Sequence, residues 1–376
     1  MATHSSICSV CGTHNHVDVQ FCSECIAPLT LEPLSNLSFS DLTESLRSLL
    51  ELISRVGKRC QASRYNQHED ELLGAYLSAF WLRPETAFLQ FSEAIHVYKL
   101  LQAADGPILD LGCGNGVHMS LLQGWRFASS FDVFRSVDLS RSDMFDSVSN
   151  HDYEVEVQRS GRITDFGIDI RRSAVQQTSE LSTFRQVQLA DVRNIPITHA
   201  SLGCIYSNLI RDFSLPLLKQ SLAECRRVLR PGGMLILISP TENYQDCLYY
   251  RPRAKLAESQ GDLEAVVSLE RMDRGRSHFC QQQLPLSSWK ELMHISGLSL
   301  IDSIDFAPKP LIELWDAGLR AFSPALISWS QRFHSNEERD IVKKLVIDLE
   351  KQILSPVLDE GSGQYGFRIL ICKRLV

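Results

Sequence analysis

The chain has 376 residues, 44% of them hydrophobic, and a formal net charge of −7. That is room for about two or three domains with buried cores, and the acidic balance disfavours a general nucleic-acid surface. Its apolar runs, such as Met234–Ile238, fall far short of the ~18 residues that cross a bilayer, and its start lacks a signal-peptide pattern, so it reads as cytoplasmic with no membrane span.

The first motif in chain order is a cysteine quartet. Cys8-Ser-Val-Cys11 and Cys22-Ser-Glu-Cys25 are two C-x2-C pairs with ten residues between them. Each pair fits a tight turn that aims both sulfurs at one ion, and four thiolates make a closed tetrahedral zinc site. Such a site is structural, because no position is left open for chemistry. Residues 1–30 are too few for a core of their own, so the metal supplies the folding energy of this ribbon. They contain neither Lys nor Arg, which weighs against direct phosphate contact and leaves docking on RNA or protein as the ribbon's possible task.

Residues 31–104 read as a linker and a helical cap. Leu42, Leu46, Leu49, Leu50 and Ile53 recur at helical spacing behind Ser40 as N-cap, and the Arg and Lys residues from Arg47 to Arg64 read as a solvated face. Residues 69–103 continue as two helices split near Pro84.

Residues 108–116, Ile-Leu-Asp-Leu-Gly-Cys-Gly-Asn-Gly, form a short buried strand that runs into a glycine-rich turn. Gly112, Gly114 and Gly116 let a ligand approach the main chain closely. A dinucleotide turn reads G-x-G-x-x-G and cradles a pyrophosphate; here the glycines alternate and Asp110 precedes them. An anion at that place repels a pyrophosphate and attracts an ammonium group, which points to S-adenosylmethionine. The motif resembles the first motif of the class I S-adenosylmethionine-dependent methyltransferases, near their type 11 branch. The resemblance implies an α/β fold, a Rossmann-like sheet of seven strands with helical insertions, here preceded by the zinc ribbon. It gives a cofactor-binding core over 105–240 and a C-terminal part with a helical substrate cap over 241–376.

In such a sheet the ligand lies at the carboxyl ends of the strands, so each strand end offers a contact. Main chain around Gly112, Cys113 and Gly114 serves the first. The second strand should end in an acid that accepts from both ribose hydroxyls. Asp169, at the end of Phe166–Ile170, is favoured over Asp138, because Asp138 leaves more than fifty residues before the third strand's acid. Residues 126–165 then become an insertion beside the cleft. By resemblance, Ile170 follows the ribose acid. The third strand, Phe184–Leu189, leads to Asp191 and Val192, whose carboxylate and backbone amide match the family's adenine contacts. Leu202–Ser207 is the fourth strand and ends at Asn208, near the methionine end. Leu222–Leu229 reads as a helix, Arg230-Pro231-Gly232-Gly233 as a tight turn, and Met234–Ser239 as the fifth strand.

Further on, Leu286–Ser296 reads as a helix, Leu298–Phe306 as the sixth strand and Tyr365–Lys373 as the closing antiparallel seventh. Helices Leu311–Phe322 and Glu337–Ile353 lie between them; Trp315, Phe322 and Trp329 read as core more readily than as an apolar substrate pocket. No catalytic base is assigned: His118 after the glycine turn and Asp212 beyond the fourth strand each suit packing or solvent as well as proton transfer. The expected activity is methyl transfer from S-adenosylmethionine to a small molecule, a lipid or secondary metabolite. An RNA methyltransferase that grips RNA through ribbon and Arg-rich helix, and a non-catalytic cofactor-binding module, are the rival classes.

Overall fold

The computed structural model describes residues 66–131, 155–208, 213–273, 283–317, 335–354 and 363–375, a few positions between them, and the backbone of 5–7 and 14–16. The cysteine quartet, the helix expected over 40–53, Asp138, Asp212, Phe322 and Trp329 lie outside the described residues. Near the N-terminus, β1 (Ser5–Ile7) and β2 (His14–His16) pair antiparallel, with Ser5 opposite His16 and Ile7 opposite His14.

Two helices precede the sheet. α1 (Gln67–Ala79) starts with a capping box, in which Asn66 Oδ1 accepts from Glu69 N at 3.0 Å and Glu69 Oε2 accepts from Asn66 N at 3.2 Å. α2 (Pro84–Gln102) starts at Pro84, whose missing N–H and fixed φ suit a first helical turn. The split near Pro84 is where the sequence places it.

Then follow β3 (Ile108–Leu111), α3 (Val117–Leu122), the short antiparallel pair β4 (Arg126–Phe127) and β5 (Val157–Arg159), β6 (Thr164–Asp169), α4 (Arg172–Glu180), β7 (Phe184–Leu189) and β8 (Leu202–Ser207). After these come α5 (Leu215–Val228) and β9 (Leu229–Pro240). The last part holds α6 (Tyr244–Cys247), α7 (Tyr250–Ser259), α8 (Leu263–Asp273), α9 (Leu286–Ile295), β10 (Leu298–Pro308), α10 (Lys309–Ala317), α11 (Asn336–Leu354) and β11 (Tyr365–Arg374).

Seven strands form one sheet in the order β10-β11-β9-β8-β3-β6-β7. β3 pairs parallel with β6 and β8, β6 with β7, and β8 with β9, while β11 runs antiparallel to both its neighbours. The architecture is therefore α/β, with seven strands and an antiparallel closing strand as expected. Most bounds lie within two residues of the sequence reading, and two differences are larger. α5 begins at Leu215, seven residues before the expected Leu222, since Pro216 falls in the first turn, where proline is tolerated. The Arg-Pro-Gly-Gly turn lies inside β9 as a bulge: the ladder to β8 passes from Leu202–Leu229 to Cys204–Met234, so extra residues loop out and the strand continues.

The sheet has a core on each face. Ile108, Cys204, Tyr206, Ile236 and Ile238 pack with α1, α2, α3, α10 and α11, whereas Leu109, Ile205, Leu235 and Leu237 pack with α5 and α9. Alternation along each strand produces this division. α11 is tied to the start of the insertion by Lys343, which is 2% exposed and whose Nζ donates to the carbonyls of Ser129 and Phe131 at 2.6 Å each. Lys343→Met keeps the stem and strands both carbonyls, so urea unfolding should show a loss of about 1–3 kcal/mol in stability.

Candidate functional site

The carboxyl edge of the parallel strands carries the expected site residues. β3 brings Asp110 to this edge, and the chain then turns through Gly112, Gly114 and Gly116, with φ of +83°, +56° and +75°. Gly112 N and Cys113 N both donate to the Ile168 carbonyl, at 2.8 and 2.9 Å, which pins the turn over the end of β6. A Cβ on Gly114 would meet nothing within 4 Å, so the turn presents bare main chain to open space there; on Gly116 it would lie 2.8 Å from the Thr178 methyl. The two glycines thus serve different ends, approach of a ligand at Gly114 and seating of α4 at Gly116.

Asp169 stands at the end of β6, the second strand, as the sequence reading prefers. It is 6% exposed; Gly114 N donates to its Oδ2 at 3.0 Å and Arg171 N to its Oδ1 at 2.9 Å. Each oxygen has one backbone donor and keeps a further lone pair for a hydroxyl. Cys113 is buried, its Sγ 3.7 Å from Thr178 Oγ1, and burial with neighbouring Asp110 raises its thiol far above the ordinary range. The side chain is packing; only its main chain belongs to the turn.

Beyond Asp169 opens a cavity of about 600 Å³ lined by Ile170, Asp191, Val192, Arg193, Phe213 and Leu217 among others. Ile170 is 67% exposed there, and with Val192, Phe213 and Leu217 it forms an apolar slot between the ends of β6 and β7 and the start of α5. Asp191 sits at the slot but is engaged. Arg193 forks onto it, with Nε 3.0 Å from both oxygens and Nη2 2.5 Å from Oδ2, and Arg193 N donates to Oδ1 at 2.8 Å. These bonds hold the Asp191 carboxyl below its usual range. Arg193, invisible to motif reading, therefore competes with any amino group that Asp191 receives, although an exposed fork of this kind opens readily. Asn208 is half-buried, one residue past the end of β8, whose Ser207 Oγ donates to the Leu111 carbonyl at 2.8 Å.

The other side of Asp110 holds a network of side chains that sequence reasoning missed. His118 Nδ1 lies 3.0 Å from Tyr76 Oη, and its Nε2 lies 3.1 Å from Glu93 Oε1 and 2.9 Å from Tyr206 Oη. Tyr206 Oη also donates to Glu93 Oε1. A neutral ring with its hydrogen on Nε2 satisfies these contacts, with the Tyr76 hydroxyl donating to Nδ1. Burial and the Glu93 charge keep both tyrosines protonated, well above their usual range. Both nitrogens of His118 are thus occupied, so the ring braces the network; the sequence signal was only its place after the glycine turn.

Asp110 is 4% exposed, and among the described residues no group donates to its carboxylate. Burial, then the charges of Asp169 and Glu93, push its carboxyl well above the ordinary range. A buried acid without a donor is costly to ionise, and a cationic ligand removes that cost. The arrangement fits S-adenosylmethionine: an unmatched acid for its cationic end, bare main chain at Gly114, lone pairs on Asp169 for a ribose, and an apolar slot for an adenine.

Residues 155–237 match a type 11 family model described as a methyltransferase domain. A curated relative, an uncharacterised 37.1 kDa protein in transposon TN4556 of Streptomyces fradiae, is 35% identical over 162 residues, which is 40% of this chain; the chain spans 37% of that relative's length. Among solved structures, an S-adenosylmethionine-dependent methyltransferase from Thermotoga maritima is 12% identical, with 80% of this chain and 98% of that one covered and a TM-score of 0.41. Geranyl diphosphate C-methyltransferase from Streptomyces coelicolor is 11% identical, with 78% and 84% covered and a TM-score of 0.38. The family match supports a methyltransferase domain that includes residues 155–237. Among the described residues, no helix is long and apolar enough to cross a membrane.

The Asp110 environment has a measurable sign. Its carboxyl ionises later in the folded chain than in the unfolded one, so its contribution to stability is present at low pH and is lost as pH rises through the folded-state value. Asp110→Asn should therefore gain stability on the ligand-free parent between about pH 4 and about pH 8, read from urea midpoints at both ends of that range.

Proposed function

We propose that the chain transfers a methyl group from S-adenosylmethionine to a small-molecule acceptor, a lipid or secondary metabolite, with the N-terminal zinc ribbon as a structural or docking accessory. The observation that carries this reading is the buried, donorless Asp110 directly before a turn whose Gly114 faces open space. When bound, the cofactor supplies a methyl group on a cationic sulfur, poised for in-line displacement.

The residues of this chain do the holding. Asp110 takes the cationic end and Asp169 the ribose hydroxyls; Gly112, Cys113 and Gly114 offer main chain. Ile170 and Val192 flank the adenine, and Asp191 accepts from its amino group once Arg193 swings aside. Asn208 stands beside the methionine end. Much of the rate of such a displacement comes from orientation and from exclusion of water, which the helices over the α1, α2 and α11 face are suited to provide. The net charge and the absence of Lys and Arg from residues 1–30 favour a small acceptor over RNA.

Calorimetry on the full chain with S-adenosylmethionine tests the binding half. Asp169→Ala should weaken binding by about 10–100-fold, since two charge-assisted hydrogen bonds are lost, and absence of binding by the unchanged chain would sink the reading.

For zinc, the support is the spacing of Cys8, Cys11, Cys22 and Cys25 together with the β1–β2 pairing, which brings together the backbone on either side of the first cysteine pair. Elemental analysis of the purified chain should give one zinc per molecule, and Cys8→Ser with Cys22→Ser should remove it; a metal-free parent would refute the ribbon.

A further inference from the structure

Resting on the cofactor reading above, we propose that Glu93 is a second carboxylate contact for the cationic methionine end of S-adenosylmethionine, sharing that end with Asp110 and positioned by Tyr206, His118 and Tyr76. Glu93 belongs to α2, outside the stretch that matches the methyltransferase family model, and no motif points to it.

The two acids share one place. Asp110 and Tyr206 are register neighbours on β3 and β8. Alternation turns both toward the face covered by α1, α2 and α3, where Ile108, Cys204 and Tyr206 pack with Phe88, Phe91 and Ala94 of α2. Glu93 is 4% exposed and reaches that face from α2; its Oε1 receives Tyr206 Oη and His118 Nε2. Its Oε2 has no donor among the described residues, so one oxygen is clamped and the other is left to receive.

The charge balance then asks for a cation. Neither Asp110 nor Glu93 pairs with Lys or Arg among the described residues; Glu93 meets the His118 ring at 3.1 Å and the Tyr206 hydroxyl. Two buried carboxylates so arranged repel each other, and the electrostatic influence of Glu93 on Asp110 is one cause of the latter's raised pKa. The ammonium group at the amino-acid end of such a ligand carries three N–H donors and can reach both acids, and S-adenosylhomocysteine keeps that group. Tyr206 and His118 fix the clamped oxygen, and Tyr76 fixes the His118 ring, so these three are positioning residues.

The test compares two ligands on the full chain by calorimetry. S-Adenosylhomocysteine keeps the amino-acid end, and 5′-methylthioadenosine has the nucleoside and sulfur without it. Glu93→Gln keeps shape and an acceptor for Tyr206 but removes the charge. It should weaken S-adenosylhomocysteine about tenfold and leave 5′-methylthioadenosine within about twofold. Tyr206→Phe, which loosens Glu93 without discharging it, should give a loss of about threefold confined to the first ligand. A purely structural role lowers both affinities together, so a Glu93→Gln ratio equal to the parent's overturns the proposal while leaving the cofactor reading intact. If Glu93→Gln does not fold, the Tyr206→Phe ratio decides in the same way. If the parent binds neither ligand, the cofactor reading itself has failed and takes the proposal with it.

Discussion

A carboxylate buried at a strand end, with no donor to it among the described residues, is the constraint around which this cleft is organised. Asp110 lies on a four-residue strand whose every position is buried and is itself only 4% exposed, and no cationic side chain pairs with it among the described residues. Burial and the charges of Asp169 and Glu93 raise its pKa well above the ordinary range, which is the cost of leaving the group without a partner when the site is empty. The same feature makes the site selective. A pyrophosphate brings negative charge to a place that already repels it, whereas a cation lets the acid ionise and gains from the low surrounding dielectric.

The two faces of the sheet divide the remaining work. α5 and α9 bury a largely apolar stripe and serve as a foundation. The opposite face also has an apolar floor, but its helices reach in with Tyr76, Glu93 and His118, and the polar atoms of these side chains are matched largely to one another. Such a network is tolerable in a core only when its members satisfy each other, which is why His118 has partners on both nitrogens. α11 closes the same face through Lys343, held by two carbonyls of the insertion that follows β4. The order of the cap and the order of the insertion are therefore linked by one ammonium group.

Most of the sheet was legible because its signals are local. Ile108–Leu111, Phe184–Leu189 and Leu202–Ser207 are apolar or alternating runs closed by turn residues, and each emerges as a strand with those bounds. Asp169 could be preferred to Asp138 from connection length alone, and β6 does end at Asp169. The site was legible wherever a strand end carried its own contact. It was not legible where contacts join distant parts: Tyr206 and Glu93 are 113 positions apart and His118 and Tyr76 are 42 apart, and no periodicity relates them. Local reading also erred by leaving out competition. Asp191 reads as a free acceptor, but a guanidinium two residues on occupies both its oxygens. Trp315 packs as core, as its sequence context suggests, with the Arg276 guanidinium 3.5 Å from its ring centroid and Phe367 meeting it edge-on.

Residues 155–237, the stretch that matches the family model, run from β5 into β9 and include Asp169, Ile170, Asp191 and Val192. Asp110, the glycine turn and the Tyr76, Glu93 and His118 network all precede it, and the helices that cover the first face come from α1, α2, α10 and α11. A nucleoside imposes one shape on every protein that binds it in this way, whereas an acceptor imposes a different one on each. The apolar slot lined by Ile170 and Val192 lies in the matched stretch, while the helices that cover the first face, α1, α2, α10 and α11, lie before and after it.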